Sequence, residues 1–399
     1  MNLRRAAGLT AGIVIGFVVG ASATLAIQGW AGSPDPNVRT PSAGVPRTEP
    51  ESPGTFLVWT SGGMPAGFRR DIRHVDGVRR AVVVASDNTW LDRSWSSQGE
   101  VIDDPRPGFA IPLEVAAVDP REFAPFLPPA DRSVALALAD GRGILGESSA
   151  RLRGLGPGAV MRFGDVRIEV AAILPDELVG ANELMVSREV GRSIGVTRDR
   201  YALVVPESAH SNRGVERLLD PLLRGTPSKV RAPGDTPYLR QGDAVLPPVR
   251  IKLLFGEFAA RPTPGRPGYL TLDPAWVRRN IDTQRVPLLG SVTCNVALFP
   301  QIRGLVHELV ERGLQGTIHS FSGCFSARHV NRVPSAGLSH HSWGIALDVN
   351  VQQGNLFGQP PHQDPRLVRV FERWGFVWGG TFIVPDGMHF EYHREPPED

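Results

Sequence analysis

The chain has 399 residues, 41% of them hydrophobic and 21% charged, with a formal net charge of +2. That length exceeds one comfortable domain, and 44 glycines and 36 prolines argue for many turns and some linker rather than a helical repeat. Arg4 and Arg5 stand at the extreme N-terminus, so the rest of the chain is charge-balanced and lacks the basic excess that marks a nucleic-acid partner.

Those two arginines precede an uncharged, mostly apolar run from Ala6 to Trp30, long enough to cross a bilayer at roughly 20 residues. The run is longer than the roughly 7–15 residue core of a cleaved signal peptide. Its basic flank lies on the N-terminal side, which orients the following chain outward. Residues 1–32 are therefore expected to form a retained transmembrane anchor, with a cleaved signal peptide as the alternative. This places the protein in the cell membrane as a single-pass chain with its bulk extracytoplasmic. Residues 33–54, "SPDPNVRTPSAGVPRTEPESPG", carry almost no large apolar side chain and read as an extended tether.

Between 55 and 205 the short β-branched runs "TFLVWTS", "RRAVVVAS", "VALAL" and "VRIEVAAIL" are separated by Gly, Pro and Asp, the pattern of a strand-rich mixed domain. The order "VDPREFAPFLPP" followed by "GRGILGESSARLRGLGPGAVMRFGDVRIEVAAILPD" resembles the extracytoplasmic core domain of ABC-transporter permeases, over Val118 to Val196. A protein partner for this middle domain is the corresponding expectation. Its own acids and arginines suggest a solvated surface. Residues 206–248 read as a connector with one short helix at "NRGVERLLDPLLRG", whose face is Val215, Leu218, Leu219 and Leu222 and whose regularity Pro221 opposes.

A C-terminal unit is expected from 249 to 399. Leu298, Ile302, Leu305, Val306, Leu309 and Val310 recur at helical spacing and Gly313 ends the pattern. Asp364 and Pro365 open a second helix whose face is Leu367, Val370, Phe371 and Trp374, stopped by Gly375. Short strands between and after them, such as "SWGIALDVN" and "MHFEYH", complete an α+β fold with a small antiparallel sheet.

Chemistry concentrates in "LSHHSWGIALDVN", residues 338–350, which otherwise reads as a buried strand yet carries His341 and Asp348. Two such groups are costly to bury unpaired. A catalytic zinc takes about three protein ligands, and these two could converge only if the chain bends between them, for which Gly344 is the cheapest position. "PDGMHFEYH" offers His389 as a third ligand and, three residues before it, Asp386 as a free carboxylate suited to general-base work. His340 is expected to point away to solvent. His329 and His393 are nearby alternatives, and Trp343 and Trp378 are candidates to line a cleft, with Trp374 read as core. No GxSxG elbow or P-loop is present.

"SHHSWGIALD" and "DGMHF" match the SxHxxGxAxD and DxxHF signatures of the zinc D-alanyl-D-alanine carboxypeptidase family, and the likeness runs from about Pro287 to Tyr392 through "VTCN", "GCFSARHV" and "GFVWGGTF". This region resembles a group that also holds vancomycin-resistance D,D-peptidases and L-alanyl-D-glutamate endopeptidases, and that shares its zinc fold with lysostaphin-type enzymes and the hedgehog signalling domain. The resemblance implies Zn2+ held by His341, Asp348 and His389. It also implies Asp386 as general base, Arg328 stabilising the oxyanion, and Ser339 contacting substrate or fixing its loop. The implied activity is hydrolysis of a peptidoglycan stem peptide at D-alanyl-D-alanine, with the L-alanyl-D-glutamate bond and a catalytically silent binding protein as the alternatives. Cys294 and Cys324, the only cysteines, suggest one disulfide in an exported protein, which would tie the start of the first helix to the segment carrying Arg328.

Overall fold

Ten strands between Phe56 and Arg231 assemble into one mixed sheet in the computed structural model, which describes residues 54–208, 211–233, 241–243 and 246–395. They are β1 (Phe56–Thr60), β2 (Val78–Leu91), β3 (Arg93–Trp95), β4 (Ile111–Val118), β5 (Gly143–Gly146), β6 (Val160–Phe163), β7 (Val166–Leu174), β8 (Leu184–Ser187), β9 (Asp199–Pro206) and β10 (Ser228–Arg231). Their order is β10-β1-β9-β2-β4-β8-β5-β7-β6-β3. The β4–β8 and β5–β7 pairs are parallel and the others antiparallel. Every residue of β4 is buried, as expected of a central strand covered on both faces. Separate apolar clusters pack around the sheet, one on Leu57, Val84 and Tyr201, another on Leu113, Met161 and Val170.

Part of 206–248, expected as a connector, is built into this sheet. The helix Asn212–Leu223 buries Val215, Leu219 and Leu223 against it, and β10 pairs with β1 at the sheet edge. "SKVR" was missed because four residues with one buried apolar side chain carry almost no periodic signal. The expected N-terminal transmembrane helix and nearly all of the 33–54 linker lie outside the described residues. No described helix is long and apolar enough to cross a membrane.

The C-terminal region opens with the helix Pro248–Phe255 and two small antiparallel pairs, β11 (Ala260–Pro262) with β12 (Leu270–Leu272) and β13 (Ile281–Val286) with β14 (Gly290–Asn295). The two expected helices appear as Phe299–Glu311 and Pro365–Arg373, and the Asp364 side chain caps the second by accepting from the Arg366 N–H. Their apolar faces close over a four-stranded antiparallel sheet. It consists of β15 (Phe321–Gly323), β16 (Ala346–Val349), β17 (Phe376–Trp378) and β18 (His389–Tyr392), in the order β15-β16-β18-β17. The whole is a mixed α+β architecture with a strand-rich middle and a small C-terminal sheet.

The two regions are joined through a buried charge quartet. Arg153 and Glu183, from the strand-rich region, meet Lys252 and Glu257, and the Arg153, Glu183 and Lys252 side chains are at most 1% exposed. Lys252 Nζ lies 2.7 Å from Glu183 Oε1 and 2.9 Å from Glu257 Oε1; Arg153 Nη2 lies 2.9 Å from Glu183 Oε2. A backbone bridge between Ala110 and Ala260 runs beside it.

Candidate metal centre

The stretch 338–350 does not form one strand. His340–Trp343 make a 3-10 turn that ends at Gly344, whose φ of 68° is left-handed, and only then does β16 begin. A Cβ at Gly344 would sit 2.7 Å from the Asn295 backbone nitrogen, so both conformation and space demand glycine. The bend expected there is the device that brings His341 back over the strand.

The register of the sheet does the rest. Asp348 on β16 is directly opposite His389 on β18, and directly opposed side chains on one face of an antiparallel pair are neighbours. His341 Nε2 lies 3.2 Å from Asp348 Oδ2, and His389 Nδ1 lies 3.2 Å from Asp348 Oδ1. The three ligand-capable atoms fall within 4.8 Å of one another. Leu347 and Phe390, on the opposite face, are fully buried in the core that holds both strands in place.

Hydrogen bonds behind the trio fix which nitrogen is free. His341 Nδ1 is 2.7 Å from the Cys324 carbonyl oxygen. That oxygen can only accept, so Nδ1 carries a hydrogen and Nε2 is the nitrogen turned toward Asp348. His389 Nε2 is 3.2 Å from Glu391 Oε2, leaving Nδ1 toward Asp348. Glu391 shares the face of His389 by the period-two rule and also lies 2.9 Å from His340 Nδ1. The pattern "HFE" carried that signal, but sequence reading passed over it. His340, expected at the surface, is buried instead, because a 3-10 turn does not alternate sides as an extended chain does.

The electrostatics describe a site that calls for positive charge. Burial would raise the Asp348 carboxyl, but His341 and His389 outweigh it and hold it far below the usual range. Burial would lower His389, yet the Asp348 and Glu391 carboxylates push it up to about 10. Two imidazole nitrogens and one carboxylate oxygen, converging within 4.8 Å, fit a divalent cation of the zinc type.

Asp386 stands beside the trio without joining it. It opens a tight turn in which the His389 N–H donates to the Asp386 carbonyl, and its own N–H donates to the Gly379 carbonyl. A Cβ at Gly379 would fall 2.8 Å from the Asp386 backbone oxygen, so glycine is what lets the loops lie this close. Trp378 and Gln363 both donate to the Gly387 carbonyl and brace the turn; Trp378 is therefore a support rather than a cleft wall. Asp386 Oδ1 is buried without a partner, and burial holds the carboxyl above its ordinary value.

Arg328 and Ser339 line the same cleft, of about 710 Å³, together with His341, Asp348, Asp386 and His389. Ser342, unnoticed in the sequence, clamps the Arg328 backbone by accepting from its N–H at 3.0 Å and donating to its carbonyl at 2.9 Å. Burial lowers the Arg328 pKa, while Asp348 and Asp386 act on it across the cleft by charge rather than by a hydrogen bond. The Ser339 N–H donates to the Arg328 carbonyl, which joins the two cleft segments. His329 is held by the Ala336 carbonyl, and neither it nor His393 belongs to the trio. Trp343 is buried in the core.

Residues 333–392 match the family model for D-alanyl-D-alanine carboxypeptidase. The matched stretch contains His341, Asp348, Asp386 and His389; Cys324 and Arg328 precede it. No curated protein matches the chain. Among solved structures, the chain is similar to the periplasmic region of MacB from Actinobacillus actinomycetemcomitans, at 12% identity over 45% of this chain and 88% of that one, TM-score 0.31. It is also similar to the extracellular domain of the noncanonic ABC-type transporter YknZ from Gram-positive bacteria, at 15% identity over 45% and 98%, TM-score 0.29. A third is a domain of a putative permease protein from Porphyromonas gingivalis, at 13% identity over 50% and 94%, TM-score 0.27. Likenesses at these scores support no functional step.

Cys294 and Cys324 form a disulfide with Cα atoms 5.4 Å apart, closing a loop of 30 residues. It ties the end of β14 to the residue whose carbonyl holds His341. Replacing both cysteines with serine is expected to lower unfolding free energy by ~3–4 kcal/mol on a loop-entropy basis. It should also weaken metal affinity by about tenfold through loss of the imidazole's orientation. Denaturant titration and competition with a chromophoric chelator measure the two effects separately; unaltered metal affinity would show that the disulfide acts on the fold alone.

Proposed function

We propose that the chain is an exported zinc peptidase that hydrolyses peptidoglycan stem peptides, acting as a D-alanyl-D-alanine carboxypeptidase. The observation that carries this reading is the cross-strand His341–Asp348–His389 cluster with the unpartnered Asp386 carboxylate in one cleft. The family match over 333–392 supports it. The apolar N-terminal run and the disulfide support an extracytoplasmic site of action.

His341, Asp348 and His389 would hold the zinc ion. Bound there, zinc supplies Lewis acidity to the scissile carbonyl and to the attacking water. Asp386 takes a proton from that water and delivers it to the leaving amine as the C–N bond breaks. Its raised pKa suits both halves of that transfer. Arg328, fixed by Ser342, places its guanidinium to stabilise the charge that develops on the carbonyl oxygen. Ser339 contacts the substrate at the cleft wall. Glu391 and the Cys324 carbonyl keep the imidazoles oriented.

Incubation of the full chain with a stem pentapeptide, read by mass spectrometry beside metal quantification, tests this. Loss of a single D-Ala with about one zinc per chain is the expected result. Cleavage between L-Ala and D-Glu would make it an endopeptidase instead. Zinc without any cleavage of several wall peptides would point to a binding protein, and absence of zinc would sink the site.

A further inference from the structure

Both rims of the cleft belong to the C-terminal region, yet each is held by a cation from the strand-rich region. On one side, the segment 330–338 carries Val330, Asn331, Arg332 and Leu338 into the cleft. Arg200, on β9, donates to the Ser335 carbonyl at 3.4 Å, while Asp87 and the Ser86 carbonyl anchor its guanidinium from behind at 2.5 and 2.9 Å. On the other side, Lys229 on β10 donates to the Thr381 carbonyl at 2.9 Å and pairs with Asp243 at 2.5 Å. Asp243 accepts the Ile383 N–H at 3.0 Å and itself lines the cleft. The Ile383 side chain packs against the core cluster of the strand-rich region that contains Tyr201 and Val205.

From this we infer that Arg200 and Lys229 are positioning residues for the hydrolysis proposed above, a step that rests on that reading. They set the separation of the two rims and, through the 379–386 segment, the placement of Asp386. Within the C-terminal region the segment is tied by Phe382 and Asp386, which both donate to the Gly379 carbonyl, by the Thr381 hydroxyl on the Trp378 carbonyl, and by the Gly358 N–H on the Pro385 carbonyl. The stretch between, Thr381 to Ile383, is held from outside by Lys229 on the Thr381 carbonyl and by Asp243 on the Ile383 N–H. The strand-rich region is thus a structural half of the catalytic cleft rather than a detachable lobe that only recruits the peptidase to a partner.

The test uses the full-length protein with Lys229→Met and Arg200→Leu, and Lys229→Arg as the conservative control. Lys229 sits at a sheet edge with its side chain 39% exposed, so its replacement leaves the core intact. Each loss variant is expected to lower kcat/KM for the stem pentapeptide on the order of tenfold, with zinc content unchanged and Lys229→Arg restoring most of the loss. Backbone amide exchange should accelerate in peptides covering 379–386 for Lys229→Met and 330–338 for Arg200→Leu, with strands β16 and β18 unchanged. Unchanged exchange at both rims would overturn the inference, as would a uniform rise accompanied by zinc loss, which marks a merely structural role. Should the parent protein cleave nothing, the peptidase reading fails, and the exchange data still decide whether the rims are clamped.

Discussion

Asp386→Asn is expected to retain about one zinc per chain and to lower kcat on the stem pentapeptide by on the order of 10²- to 10⁴-fold, the range for loss of a positioned general base. The argument rests on separation of roles within one turn. Asp386 is outside the group of ligand-capable atoms that lie within 4.8 Å of one another, and its Oδ1 makes no hydrogen bond. Neutralising it therefore breaks no contact that holds the metal site together. Asparagine keeps the shape, so the Gly379 carbonyl still receives the backbone N–H and the loop stays in place. Asp348→Asn should behave oppositely. It removes the charge shared by both histidines, and the readout is loss of zinc by metal analysis together with loss of turnover. If Asp386→Asn loses zinc as Asp348→Asn does, Asp386 belongs to the metal site and a different base is needed. If its kcat stays within a few-fold of the parent protein, the general-base role is wrong.

The site was more legible than the fold around it, for a physical reason. A metal ligand has to be one of a few residue types, so the candidates His341, Asp348 and His389 stand out by type even inside apolar runs, and Gly344 marks the bend between the first two. What the sequence leaves out is the shell behind them. Glu391 looks like any polar residue in a short strand, and Ser342 like any turn serine, because their roles depend on the Asp348–His389 register and on the course of the chain near Arg328. The two long helices were readable from spacing and caps, since each carries its own periodic face. β10 and the loops at Ser335 and Thr381 were not readable, because their partners lie more than a hundred residues away and nothing local encodes them. Regularity also misled the reading at His340, where a strand-like alternation gave way to a 3-10 turn.

Lys252→Met is expected to destabilise the protein by ~3–5 kcal/mol at neutral pH, as is typical when one member of a buried ion pair is removed. Lys252 Nζ contacts both Glu183 carboxylate oxygens and Glu257 Oε1 with almost no exposure. Its loss leaves two buried carboxylates with Arg153 as the remaining cation of the quartet. The pH dependence gives the same interaction an independent signature. Burial would raise Glu257, but Lys252 and Arg153 hold it down to about 2 from an ordinary 4.5. A group depressed in the folded state contributes stability that is present above 4.5 and is lost as the pH falls toward 2. The parent protein should therefore lose part of its stability across that window. Lys252→Met should lose less of it there, because Glu257 without its lysine sits closer to its unfolded value. Adding Glu183→Gln to Lys252→Met should recover part of the loss at neutral pH, since a residue in direct contact couples strongly. Urea unfolding of the three proteins at pH 7 and along the acid range measures all of this. Additive effects of the two substitutions would show that the quartet is not one network. A negligible Lys252→Met effect would mean that packing, the Ala110–Ala260 bridge and the Arg200 and Lys229 contacts suffice to join the two regions.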